Sequence, residues 1–322
     1  METAERGSLI VSRPRMPDPP PPGAAPFNFG TSPMPNRRLL LAALCLLPTI
    51  ALAQMATAPF EGRLKQIHET KTISVAYRTD ALPFSYEETD KTPAGYTVDL
   101  CRRVIAVIER QLGVSPLQVK WVPVTTQTRF SAIASGQADM ECGASTVTLG
   151  LRKQVSFSTL TFVDGTGLLI RASSTANSLK DLSGKKIGVI AGTSNERALD
   201  EALKANVLSA TMVKVKSREE GLEQLEAGAL DAFAGDRVLL LGLITRAKDP
   251  KSLALLGDGL SYEPYAIALP RGDWAMKQAV DSALAQIYRS NALPEIYNRW
   301  FGVLGAPGPV LEMVFGLGRL PE

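Results

Sequence analysis

Arg78, Arg129 and Asp236 each stand where a run of strand-forming residues gives out. Arg78 follows the alternating segment 73–77, Arg129 comes after 117–124, and Asp236 comes just after the apolar triplet 232–234. A guanidinium presents a planar fork of N–H donors that fits a carboxylate, and an aspartate fits an ammonium group. Together they describe a site for a zwitterion that carries extra negative charge. Taken singly, each is as much at home in a surface ion pair; their shared position after strands is what argues for a site. Two hydroxyl-bearing turns add donors. Gly192-Thr193-Ser194 joins a strand to a helix, where backbone N–H groups and the helix dipole suit an anion, although Ser and Thr are also ordinary N-caps. Gly143-Ala144-Ser145-Thr146 follows the segment 138–142 in the same manner. Phe84 and Tyr86 suit either stacking over a ligand's carbon chain or packing into the core.

Enzymatic chemistry has little footing. The chain has one histidine, His68, which removes multi-histidine metal sites and leaves any histidine-based triad dependent on it. His68 lies on a short helical segment before the first strand and reads as a surface residue. No G-x-S-x-G, H-E-x-x-H or C-x-x-C motif occurs, and Gly184-Lys185-Lys186 lacks the rest of a P-loop. Glu141 is of the right type for acid–base work, but nothing in its sequence surroundings assigns it a shifted pKa. No cofactor is expected. A net charge of +3 on 322 residues is too small and dispersed for a nucleic-acid-binding surface.

The elements that must carry these residues alternate. Residues 61–70 read as a helix, 73–77 as a strand, 98–112 as an amphipathic helix ended by Gly113, 117–124 as a strand, 129–135 as a helix and 138–142 as a strand. The order repeats: strand 186–190, helix 195–205, strand 210–215, helix 218–227, strand 232–234, then a helix with Leu239, Leu240, Leu243 and Ile244 on one face. Two such units predict an α/β chain of two lobes, each a mostly parallel sheet flanked by helices. Extended segments 160–171 and 260–270 read as two hinge crossovers, followed by a closing helix 275–288 and a second helix ending at Trp300-Phe301. Strand ends from both lobes then face one cleft, the place where open α/β sheets bind ligands and around which hinges close.

The first fifty residues stand apart. Residues 1–33 hold eight prolines and read as a disordered extension or a start placed too early. From Met34, two arginines precede an apolar stretch ending Ala51-Leu52-Ala53, the layout of a secretory signal peptide over 34–53. Cleavage there removes Cys45 and leaves Cys101 and Cys142, which either pair in an oxidising compartment or remain buried thiols.

The remaining chain resembles the periplasmic amino-acid-binding proteins of ABC transporters, bacterial solute-binding family 3, over about residues 62–302. The resemblance is carried by Pro83-Phe84-Ser85-Tyr86, the helix entry Gly95-Tyr96-Thr97-Val98-Asp99-Leu100, Asp139-Met140-Glu141-Cys142-Gly143 and Val155-Ser156-Phe157-Ser158. Gly192-Thr193-Ser194, Glu263-Pro264-Tyr265 and Arg299-Trp300-Phe301-Gly302 continue it. Arg78, Thr125-Thr126-Gln127-Thr128-Arg129 and Glu141-Cys142-Gly143 look most like the glutamate/aspartate-binding branch. The resemblance implies a type II clamshell, with residues 54–163 and 265–304 as lobe 1, 164–264 as lobe 2 and 305–322 as a C-terminal tail. It also implies that Arg78, Thr126, Arg129 and Ser145 or Thr146 contact a ligand from lobe 1, and Thr193, Ser194, Arg218 and Asp236 from lobe 2. Asp236 would receive the α-ammonium group. One departure matters: Leu151 stands where the family usually has an arginine that grips the α-carboxylate, and Arg152 is its neighbour. On a helix one step turns a side chain by about 100°. Arg152 is therefore retained as a candidate only if a local shift re-aims it.

The expectation is a monomeric periplasmic protein that closes on an acidic amino acid or dicarboxylate and passes it to ABC permease subunits. The rivals are a binding-protein-derived lyase of the cyclohexadienyl dehydratase type and a soluble sensor of another small organic acid.

Overall fold

The computed structural model describes residues 60–257 and 259–321. The extension 1–33 and the signal segment 34–53 lie outside the described residues. Two five-stranded sheets build the rest. The first runs in the order Gln118–Val124, Thr72–Arg78, Met140–Glu141, Glu263–Pro270, Val155–Asp164. The second runs Thr211–Val215, Lys186–Ile190, Ala232–Asp236, Thr166–Arg171, Leu253–Leu255. In each sheet three neighbouring strands are parallel, joined by helical connections; the fourth runs antiparallel to them and the fifth antiparallel to the fourth. The antiparallel members are mainly the crossover segments. The chain leaves the first sheet along Val155–Asp164, continues through Gly165 into Thr166–Arg171 of the second, and returns as Glu263–Pro270.

The crossovers lie against each other at their midpoints. Leu260 donates its N–H to the Thr166 carbonyl (2.8 Å), and Thr166 donates its own to Ser261 Oγ (3.2 Å). A side chain at Gly165 would sit 2.7 Å from the Ser261 carbonyl, so only glycine allows this approach.

Helix Tyr96–Leu112 turns Leu100, Cys101, Val104, Ile105 and Ile108 onto the first sheet, and Gly113 ends it in a left-handed conformation. Cys101 on this helix is bonded to Cys142 at the end of the short strand Met140–Glu141. The pairing left open by the sequence is therefore a disulfide. A link across 41 residues restricts the unfolded chain, a stabilisation of about 2–4 kcal/mol. Asp99 accepts hydrogen bonds from Trp300 Nε1 (2.9 Å) and Arg299 (3.0 Å), so two of the sequence's separated motifs meet in one contact.

Some short elements were not read from the sequence. Residues 80–94, read as a loop, hold a small antiparallel sheet of Asp80–Ala81, Ser85–Glu87 and Pro93–Ala94. Strands of two or three residues are too short to show a period. Leu253–Leu255 forms an edge strand for the same reason. The C-terminal segment carries helix Pro309–Leu317, which buries Leu311 and Phe315 and places Phe315 against Tyr288 and Tyr297.

Candidate ligand-binding site

Arg78 closes strand Thr72–Arg78, the second strand of the first sheet, and its side chain is 1% exposed. It donates from Nη2 to Thr126 Oγ1 (2.6 Å) and to the carboxylate of Asp80. Its Nε–H is buried with no acceptor in the protein. Such a group carries a penalty of about 1–3 kcal/mol until something meets it. Burial pushes the Arg78 guanidinium below its ordinary pKa, against the pull of Asp80.

Arg129 opens helix Arg129–Ala134, the position the strand-then-helix pattern assigns it. Its Nε donates to Ser145 Oγ (3.0 Å), and Nη1 donates to the Thr126 carbonyl. Burial, reinforced by Arg78, lowers its pKa to about 10. Glu141 lies beside both arginines and is fully buried, its carboxylate pressed against Gly143, where any added Cβ would clash. Desolvation raises its pKa, and Arg129 and Ser145 oppose that only in part.

The second lobe faces this cluster. Ser194 Oγ donates to Thr146 Oγ1 across the cleft (3.4 Å), and Gln127 Nε2 reaches the Lys216 carbonyl (3.2 Å). Arg218, first residue of helix Arg218–Glu226, is itself buried and donates to Asp80 Oδ2 of the first lobe (3.2 Å). Asp236 ends strand Ala232–Asp236 and accepts from Asn195 Nδ2 (3.1 Å). Burial raises the Asp236 pKa, and Glu263 adds to this while Arg218 opposes it. Asp164, at the crossover, is pushed up to about 7 by burial and then by Asp236.

Arg78, Thr126, Arg129, Ser145, Thr146, Ser194, Arg218 and Asp236 thus converge on one cleft. Thr193 stands at the same helix entrance, but its hydroxyl is committed. It accepts from Glu196 N–H (3.2 Å) and donates to the Ile190 carbonyl (2.7 Å), the ordinary work of an N-cap. Arg152 is placed elsewhere. The turn Leu151–Lys153 points Leu151 inward against the apolar layer and leaves Arg152 exposed, in the wall of a 510 Å³ groove with Ser156, Arg271, Trp274 and Lys277. The local shift needed to re-aim Arg152 does not occur. Phe84 is a core residue, packed among Tyr96, Phe162, Tyr265 and Phe301, while Tyr86 rests against Trp300 and Arg246. His68 is exposed on helix Gly62–Thr70 beside Phe60.

Sequence reasoning missed Asp80, Asn195 and the crossover acids. Asp80 carried a signal, an acidic residue two positions after the strand-end arginine, but nothing local tied it to Arg218, 138 residues away. Among the described residues no cluster of His, Cys, Asp and Glu is arranged to hold a metal ion, and no helix is long and apolar enough to cross a membrane.

Residues 73–303 match the family model of bacterial extracellular solute-binding proteins, family 3. The chain belongs to that family. An L-glutamate/L-aspartate-binding protein of Pseudomonas aeruginosa is 35% identical over 262 residues, 80% of this chain and 87% of its own. A glutamate/aspartate import solute-binding protein of Escherichia coli is 29% identical, over 81% of this chain and 86% of the relative. Among solved structures, an ancestral arginine-binding protein bound to glutamine superimposes with a TM-score of 0.63 at 26% identity, covering 72% of this chain and 98% of that one. The solute-binding family is one of two-lobe clamshells, and the two sheets, paired crossovers and facing strand ends described above have that form. These named relatives are binding proteins rather than enzymes.

Proposed function

We propose that this protein captures an acidic amino acid, glutamate or aspartate, between its lobes and delivers it to the permease of an ABC transporter. One observation carries the reading: three buried guanidiniums from both lobes and one buried aspartate converge on a single cleft, with Arg78 Nε still lacking an acceptor. Arg78 and Arg129, with Thr126 and Ser145, hold carboxylate oxygens; Asp236 receives the α-ammonium; Arg218 and the N–H groups at Ser194 come in from the second lobe. Charge-assisted contacts of this kind contribute about 1.5–3 kcal/mol each. Leu151 leaves the α-carboxylate without the arginine usual at that position, so Arg78, Arg129 and the turn Ser145-Thr146 take over its role. Hinge motion about Asp164–Thr166 and Ser261–Glu263 opens and closes the cleft. The ligand leaves chemically unchanged, and the protein works as a monomer in the periplasm after cleavage behind Ala53, the end of the signal segment 34–53.

A lyase of the cyclohexadienyl dehydratase type is the second reading, favoured only by Glu141, a buried carboxyl group of raised pKa beside the cleft. Titration calorimetry and thermal shift with twenty amino acids and a set of dicarboxylates separate the two. A ligand at 100 times its Kd stabilises the fold by about 2.7 kcal/mol. Glutamate or aspartate should give that shift with no turnover of prephenate or arogenate. A panel in which no amino acid moves the transition overturns the reading.

A further inference from the structure

Asp80 touches guanidiniums of both lobes. Arg78 donates to Oδ1 and Arg218 to Oδ2, at 3.2 Å for the latter. Its side chain is 17% exposed, against 1% for Arg78 and 8% for Arg218. It is therefore the most accessible member of the triplet. Two ionised oxygens offer about four acceptor sites, of which two are taken. The part of the cleft between these arginines consequently presents donors and acceptors side by side, a different surface from the all-donor pocket that suits a carboxylate alone.

A ligand carboxylate that reaches Arg78 or Arg218 there meets the Asp80 charge and competes with it for the same N–H groups. A neutral carboxamide draws on the same donors but meets no charge repulsion from Asp80. Its C=O accepts from a guanidinium while its NH₂ donates to a free lone pair of Asp80. Specificity is set by such repulsive elements as much as by attractive ones. We infer that Asp80 sets the breadth of the ligand class, admitting a neutral side-chain carboxamide, glutamine or asparagine, alongside glutamate and aspartate. The inference rests on the amino-acid-binding reading above. Asp80 acts by sharing its two arginines and by offering the acceptor that the amide needs, so its removal changes the ratio of affinities rather than their sum. A purely structural ion bridge would weaken all four ligands together.

The test is the Kd of glutamate, aspartate, glutamine and asparagine for the wild-type protein, Asp80→Asn and Asp80→Ser, by calorimetry. Wild type should bind glutamine within about tenfold of glutamate, and both variants should widen that ratio in favour of glutamate by about tenfold or more. The serine variant guards against an effect peculiar to the new amide. Melting temperatures show whether each variant is folded. A glutamate-to-glutamine ratio that neither variant moves by more than about threefold overturns the role given to Asp80. So does a wild-type protein that binds glutamate and not glutamine. A wild-type protein that binds none of the four overturns the amino-acid-binding reading itself, and this one with it.

Discussion

The two lobes meet the cleft with different kinds of wall. In the first, Arg78, Thr126, Arg129 and Ser145 are hydrogen-bonded to one another, Glu141 lies beneath them, and Cys101–Cys142 ties the strand from which Ser145 and Thr146 emerge to its covering helix. Their geometry is held by neighbours in the same lobe. In the second, the facing groups are a capped helix entrance at Ser194, a single arginine at the start of helix Arg218–Glu226, and Asp236 at a strand end. Arg218 finds its partner, Asp80, only across the cleft. The difference separates a preorganised grip from a closing jaw. Preorganised donors lose little freedom on binding, whereas the jaw's contribution depends on the lobes being together.

Arginine truncation breaks that comparison most sharply. Arg129→Ala should lower glutamate affinity by about a hundredfold or more. It should also lower the melting temperature, because the Arg129 bonds to Ser145 and the Thr126 carbonyl are lost and Glu141 is left buried beside one arginine fewer. Arg218→Ala should lower affinity by about tenfold and leave the melting temperature of the unliganded protein nearly unchanged. Calorimetry and thermal denaturation of the two variants decide it. Equal losses of affinity and of stability in both would mean that the lobes do not divide the work this way.

This division was partly legible in the sequence. Arg78, Arg129 and Asp236 could be found because each ends or follows a strand, and strand ends are marked by local pattern. The parallel core strands and most helices showed their periods for the same reason. Long-range pairings were not legible. Asp80 with Arg218, and the Asp164–Glu263 region with Asp236, are brought together only when the crossovers fold back on each other. The cysteine pairing depended on helix Tyr96–Leu112 lying against the short strand Met140–Glu141, a contact no spacing rule predicts. Arg152 lies outside the cleft because one residue's step along the turn at Leu151 sends one side chain in and the next one out.

A smaller effect sharpens the account of the hinge. Asp164 accepts from Gly165 N–H (2.8 Å) and Val238 N–H (3.0 Å); it is faced by Asp236, Arg237 and the Tyr265 hydroxyl. With its pKa raised to about 7, it keeps a proton that the unfolded chain has lost above the ordinary value of 3.8. Its contribution to stability is therefore full below that ordinary value and is lost as pH rises through about 7. An ammonium group arriving at Asp236 favours the ionised acids and expels protons. Affinity for glutamate should accordingly rise between pH 5 and 8, by at most about tenfold per pH unit for one proton released. Calorimetry in buffers of different ionisation heat should register the release, and Asp164→Asn should flatten the profile. A flat wild-type profile would remove Asp164 from the binding linkage.

The smallest expected effect lies outside the cleft. Arg152 is an exposed cation in the groove beside Ser156, Arg271 and Lys277, so its influence on an anion in the cleft is limited to attraction through solvent. At physiological ionic strength such attraction is screened over about 8 Å. Arg152→Ala should therefore change glutamate affinity by less than about threefold, and the residual change should disappear in high salt. A loss of tenfold or more that persists in salt would show that the turn at Leu151 rearranges when ligand is bound and swings Arg152 into the cleft. The first lobe would then not be the preformed grip that its hydrogen bonds describe, and part of the grip would be assembled only on closure.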